Sequence, residues 1–171
     1  MSPIVSNATP LIYLAKAGRL GLLRSVFGEV FTPEEVKVEG IDMGKRVGET
    51  DAYKLEKVVE DRWLKVLRAE PLEIPIRLDP GEVAALSLAR KLGIGEVLVD
   101  EVSARTAARL LGLTPRGTVF VLLKALEQRE LNLDGFLDLL SRLIQHGFRL
   151  KEEVYLEAVR KAREIAETSR S

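Results

Sequence analysis

Residues 96–117 read "EVLVDEVSARTAARLLGLTPRG". A short apolar run, Glu96 to Val99, ends on two carboxylates, Asp100 and Glu101. Apolar residues then recur at helical spacing as far as Gly112, a residue type suited to closing a helix. A weaker strand candidate, "LTPRG" from Leu113, follows at once. Strand, helix and strand in so short a space predict one crossover unit of a parallel sheet.

The alternation extends in both directions. "IV" at Ile4, "EVF" at Glu29 and "WLKVL" at Trp63 supply three more short strands between helical patterns. "EVAALSLARKLG" (82–93) predicts a helix closed by Gly93, and "RGTVFVLLKALEQREL" (116–131) another, with Thr118 as its cap. Two further helices are expected over Gly135–Gln145 and from Glu152 to about Thr168. Three helix starts pair a capping residue with proline, which fits a first turn because its missing N–H has no partner there anyway. They are Thr9-Pro10, Thr32-Pro33 and Asp79-Pro80, and Thr32/Glu35 and Asp79/Glu82 also have capping-box spacing. "GIDMGKRVGETDAYK" (40–54) predicts a mobile loop, after which Thr50 caps a helix with Ala52, Leu55 and Val59 inward.

Composition sets bounds on this α/β reading. The 171 residues suit one domain with a sizeable core. The absence of Cys excludes disulfides and thiolate metal sites, and a single His argues against a His-based metal site or a Ser-His-Asp triad. With 26 basic and 26 acidic residues, the chain is not coated for non-specific nucleic-acid binding, although a local basic groove is compatible. No apolar stretch reaches the roughly 18 residues of a membrane span. No basic segment followed by a long apolar one opens the chain, so a cytoplasmic protein is expected.

Sites in open parallel sheets form outside the carboxyl ends of the strands. Asn7 follows the first strand, and Asp100 and Glu101 follow the fourth. Glu82 stands in a helix's first turn, and Glu39 lies in the helix expected from Pro33. Together they would form an oxygen-only cluster of the kind preferred by Mg²⁺ or Mn²⁺. Each also has a plain structural reading. Glu82 completes a capping box, Asp100 can cap the next helix, Glu39 suits a solvated face, and Asn7 can bond local backbone at a turn.

These residues resemble the PIN-domain family of nucleases, roughly from Ile4 to Leu150. The matching stretches are "VSNATPLIYLAKAGRLGLL", "FGEVFTPEEVKVE", "LDPGEVAALSLARKLG", "VLVDEVSARTAARLLGL" and "GTVFVLLKA". The likeness is greatest to a branch of archaeal and bacterial proteins related to VapC-type toxin ribonucleases. It implies a three-layer α/β/α fold around a parallel sheet, with a PIN-like domain over residues 1–150 and a C-terminal helix and frayed tail over 151–171. It also implies an acidic pocket that binds Mg²⁺ or Mn²⁺ and hydrolyses RNA. By position, Asn7, Glu39, Glu82 and Asp100 stand at the family's four acidic places. Glu101 is an auxiliary acid, and Thr9 matches a small hydroxyl residue near the site. The first place is normally Asp. Asn keeps one carbonyl oxygen for a cation but loses a charge and cannot serve as a general base.

Two functions follow: a metal-dependent ribonuclease, with a possible antitoxin protein as partner, or an impaired module that binds RNA or a protein. A small-molecule phosphohydrolase would carry a strand-end "DxD", which the chain lacks. Arg105 is placed to meet a substrate phosphate or to pair with Glu101, the pairing being favoured. Lys45 and Arg46 would guide RNA or simply be solvated, Trp63 reads as packing, and His146 suits a helix C-terminus. The last helix puts Tyr155, Ala158, Val159, Ala162, Ile165 and Ala166 on one stripe, so a homodimer is expected.

Overall fold

A computed structural model describes residues 1–42 and 50–169. All five expected strands form: β1 (Ile4–Ser6), β2 (Val30–Pro33), β3 (Leu64–Leu67), β4 (Glu96–Leu98) and β5 (Thr114–Arg116). They pair in parallel throughout, in the order β3-β2-β1-β4-β5. Strands this short hold little backbone bonding, so their placement depends on burial of alternate residues on both faces. Ile4 and Leu98 face one core, while Val5, Val97 and Val99 face the other.

The helices form the outer layers. α1 (Ala8–Lys16) and α2 (Leu22–Phe27) follow β1. α3 (Glu34–Lys37) runs into a π-helical turn, Val38–Asp42, and α4 (Thr50–Glu60) leads to β3. α5 (Pro80–Leu92) precedes β4, and α6 (Val102–Leu110) crosses to β5. α7 (Thr118–Glu127), α8 (Leu133–Gln145) and α9 (Glu152–Thr168) complete the chain. Buried alanines of α5 and α6 pack on Val5, Val97 and Val99. The opposite face packs against α1, α2, α7, α8 and α9. The result is the expected α/β/α three-layer fold. No described helix is long and apolar enough to cross a membrane.

Local signals were followed unevenly. The Asp79/Glu82 capping box forms in full, and Gly93 closes α5 in the left-handed region at φ 68°. His146 caps the C-terminus of α8, and Trp63 is buried against the core. The Thr32/Glu35 capping box does not form. Thr32 stays in β2, Pro33 precedes the helix, and the Thr32 hydroxyl donates to the Ser6 carbonyl at 2.7 Å. A cross-strand acceptor at the end of β1 outcompetes the local cap. Thr9 is likewise inside α1 rather than its cap, because the helix starts at Ala8 directly after Asn7. Lys45 and Arg46 lie outside the described residues.

The α9 stripe is used within the chain. Ala158 and Ala162 are buried in the main core, with Val159 and Ile165 packed on it. This removes the inward stripe as the motive for a homodimer. Val154, Tyr155 and Leu156 are exposed and are what a second copy would have to cover. Ala162→Glu should cost at least about 2 kcal/mol, since it buries a carboxylate among apolar side chains. Exposed Arg163→Glu should cost less than about 0.5 kcal/mol by the same urea titration.

Candidate active site

The strand order reverses between β1 and β4, and a crevice at the carboxyl ends of these strands is where open parallel sheets hold ligands. The Asn7 backbone N–H donates to the Leu98 carbonyl at 3.0 Å, extending the β1–β4 pairing by one step. That bond fixes Asn7 close to where the chain leaves β4 for Asp100.

Asn7 is only 6% exposed. It occupies the N-cap position of α1, yet its side chain makes no capping bond, and Oδ1 is buried without a hydrogen-bond donor. Glu82, 5% exposed, is similar. Its Oε1 accepts the Asp79 N–H at 3.1 Å, while Oε2 is buried without a donor. Its backbone N–H donates to Asp79 Oδ1 at 2.8 Å. The structural reading of Glu82 as a capping residue is therefore correct for one oxygen and leaves the other unaccounted for.

Glu39 reaches the same space from the π-helical turn. A Cβ on Gly81 would lie 3.0 Å from Glu39 Oε2 and 3.5 Å from both Asn7 Oδ1 and Asp79 Oδ1. Gly81 thus provides the room in which three oxygens from separate elements meet. Asp79 was read from the sequence as a cap alone. Its second role was legible only as a carboxylate three residues before Glu82.

Asp100 is held differently. It does not cap α6, whose N-cap is Glu101. Its Oδ1 accepts the Thr118 N–H at 2.8 Å and its Oδ2 the Thr118 hydroxyl at 2.7 Å. Asp100 therefore caps α7 from the end of the neighbouring strand. Thr118, expected as that helix's cap, is instead its fully buried first residue, with Gly117 at the N-cap. A Cβ on Gly117 would sit 3.0 Å from Asp100 Oδ1 and 3.3 Å from Arg105 Nη1, so this glycine too keeps space open.

Arg105 donates to the Val99 carbonyl at 3.3 Å and lies beside Asp100. The favoured Glu101–Arg105 ion pair is not formed: Arg105 turns toward β4 and away from the exposed N-cap carboxylate. Burial lowers the guanidinium's proton affinity, as does Arg109, while Asp100 opposes them. Thr9 is half-buried in the first turn of α1, two residues from Asn7.

Charge is concentrated here. Burial raises the Glu82 carboxyl above the ordinary range, with Asp79 and Glu101 adding repulsion against a backbone bond that lowers it. Burial also raises Asp100, against the opposing bonds from Thr118 and the Arg105 charge. Glu39 is raised by desolvation and by Asp79. Asn7, Glu39 and Asp79 meet about Gly81, while Glu101 couples electrostatically to both Glu82 and Asp100.

A family model for DUF3368, described as a PIN domain, matches residues 3–164. The chain belongs to the PIN-domain family. No curated protein matches it. PIN domains generally use divalent metal ions, and the donors here suit one in part. They are all oxygens, as hard cations prefer, and two are buried without a donor. Among the described residues, however, no three His, Cys, Asp or Glu side chains are grouped closely enough to hold an ion by themselves. An ion bound here would need water and substrate phosphate to complete its shell.

Two consequences can be measured. Thr118→Val should lose about 1–2 kcal/mol of stability in urea, because it removes a hydroxyl donor from a part-buried carboxylate. The second concerns pH in chelator. Raised folded values mean that folding takes up protons just above the ordinary values of 3.8 and 4.5. The contribution from these groups is full below that range and is lost as pH rises through the raised values. Glu82→Gln should flatten this decline in urea titrations carried upward from pH 4.5.

Proposed function

We propose that this PIN domain is a metal-dependent endoribonuclease that hydrolyses phosphodiester bonds in RNA with Mg²⁺ or Mn²⁺. Three side-chain oxygens are buried without a donor among the described residues, Asn7 Oδ1, Glu35 Oε2 and Glu82 Oε2, and the observation that carries the reading is that two of them, Asn7 Oδ1 and Glu82 Oε2, belong to this site. Leaving such atoms without a partner is costly, and a cation would satisfy them. Asn7 and Glu82 would hold it, with water and phosphate completing its shell and Asp100 and Glu101 adding negative charge nearby. When bound, it would lower the pKa of a water and offset charge building on the phosphoryl oxygens.

The chain's own residues divide the remaining work. Glu39 has a raised proton affinity and a free path to solvent, so it would take the proton of the attacking water. Glu82 is fixed by its capping box and would orient that water or the cation. Asp100 is held rigid by Thr118, which limits the reorganisation needed during reaction. Arg105 would meet a phosphate oxygen of the RNA backbone, with Thr9 bonding the substrate nearby. In this reading the protein acts in the cytoplasm, with an antitoxin protein as the partner of a toxin.

A second reading, an impaired module that binds RNA or a protein, draws support from Asn7 itself. An amide at the first acidic place removes a charge, and Thr118 engages both Asp100 oxygens.

Purified protein, labelled single-stranded RNA and a chelator control decide between the two. The native protein should cleave slowly with Mn²⁺ or Mg²⁺ and not at all in chelator. Asn7→Asp should bind the cation more tightly, and cleavage should accelerate. Asp100→Asn should abolish cleavage. If neither the native protein nor Asn7→Asp cleaves with either metal while both still bind RNA or a protein, the binding module takes the place of the nuclease.

A further inference from the structure

The buried oxygen of Asn7 faces an unusual neighbourhood. Around the space left by Gly81 it meets Glu39 Oε2 and Asp79 Oδ1, both acceptors. Glu82 Oε2, in the same first turn of α5, is another buried oxygen without a donor. An amide carries acceptor and donors at opposite ends, in nearly equal volumes. A half-turn about χ2 exchanges Oδ1 for Nδ2 within nearly the same volume.

We propose that in the metal-free protein Asn7 acts as a hydrogen-bond donor, its Nδ2 bridging to Glu39 Oε2, so that the acidic pocket stays assembled without a cation. The proposal rests on the pocket described above but requires no cleavage; when a cation enters, the amide turns back so that Oδ1 faces it. An ionised Asp at this position could not do the same. It would accept only, and would add a further charge beside Glu39 and Asp79. The substitution that weakens metal binding would thereby free the fold from dependence on metal. This chain would keep its site ordered in a cell where the cation is scarce.

Thermal melts of the full chain, in excess chelator and with added MnCl₂, test this. The native protein should gain less from Mn²⁺ than Asn7→Asp does, by about 3 °C or more. Asn7→Asp should melt about 3–6 °C lower in chelator and recover with Mn²⁺. Adding Glu39→Gln to Asn7→Asp removes the extra charge and restores a donor, and should return the melt in chelator close to native. A native protein stabilised by Mn²⁺ as much as Asn7→Asp overturns the proposal. So does an Asn7→Asp variant that melts like native in chelator. Should Asn7→Asp fail to fold with either addition, proton exchange of the native Asn7 side-chain NH₂, followed by NMR in chelator, decides. Exchange slower than that of exposed amides, and quickened by Glu39→Ala, supports the bridge. Exchange at the exposed rate refutes it. Native protein that cleaves no RNA but melts as stated defeats the nuclease reading and leaves this one intact; cleavage by a native protein that gains as much from Mn²⁺ as Asn7→Asp does the reverse.

Discussion

The hydrogen bond from the Asn7 N–H to the Leu98 carbonyl joins the two central strands at the point where they end. β1 and β4 are only three residues long, so one additional backbone bond is a sizeable part of their pairing. It fixes where α1 departs and where the chain turns toward Asp100. Val5 and Val97 pair in register beneath it and seat α5 and α6 on one face. Ile4 and Leu98 seat the larger helical layer on the other. Polar side chains gather above this junction because the strands stop there and leave room at the sheet's edge.

From that junction the oxygen-bearing side chains of the site arrive by three routes. Asn7 and Asp100 come directly from strand ends, Glu82 from a helix start, and Glu39 from an irregular turn. Each is held by a backbone feature that the surrounding apolar packing dictates. The site's chemistry is therefore coupled to fold stability through burial, which raises the proton affinity of Glu39, Glu82 and Asp100. A pocket of this kind resists ionisation, and a positive charge or a donor placed in it relieves the strain.

The strands were legible because apolar runs bounded by turn residues leave few other options, and the Asp79/Glu82 box was legible because both partners lie within one turn. Thr32 and Thr118 were misread for a common reason. Each has a helix-capping sequence context, yet each hydroxyl finds a stronger acceptor brought near by the sheet, the Ser6 carbonyl for one and Asp100 for the other. Local pattern cannot weigh a partner 26 or 18 residues away. Glu39 was legible as a member of the cluster, but its meeting with Asn7 and Asp79 at Gly81 was not, since the turn that carries it is π-helical and shifts the face a regular helix would present.

Gly81 carries a consequence for anyone who would engineer this protein. A glycine in the first turn of a helix is an obvious target for alanine, which restricts the unfolded chain and suits the helix better by up to about 1 kcal/mol. Here the added methyl would press on the far end of the flexible Glu39 side chain, which can swing outward. Hardening the scaffold at this position would therefore dismantle the meeting of oxygens that the scaffold supports. A heat-resistant variant selected by melting temperature alone would gain robustness through the atom-sized gap on which its chemistry depends.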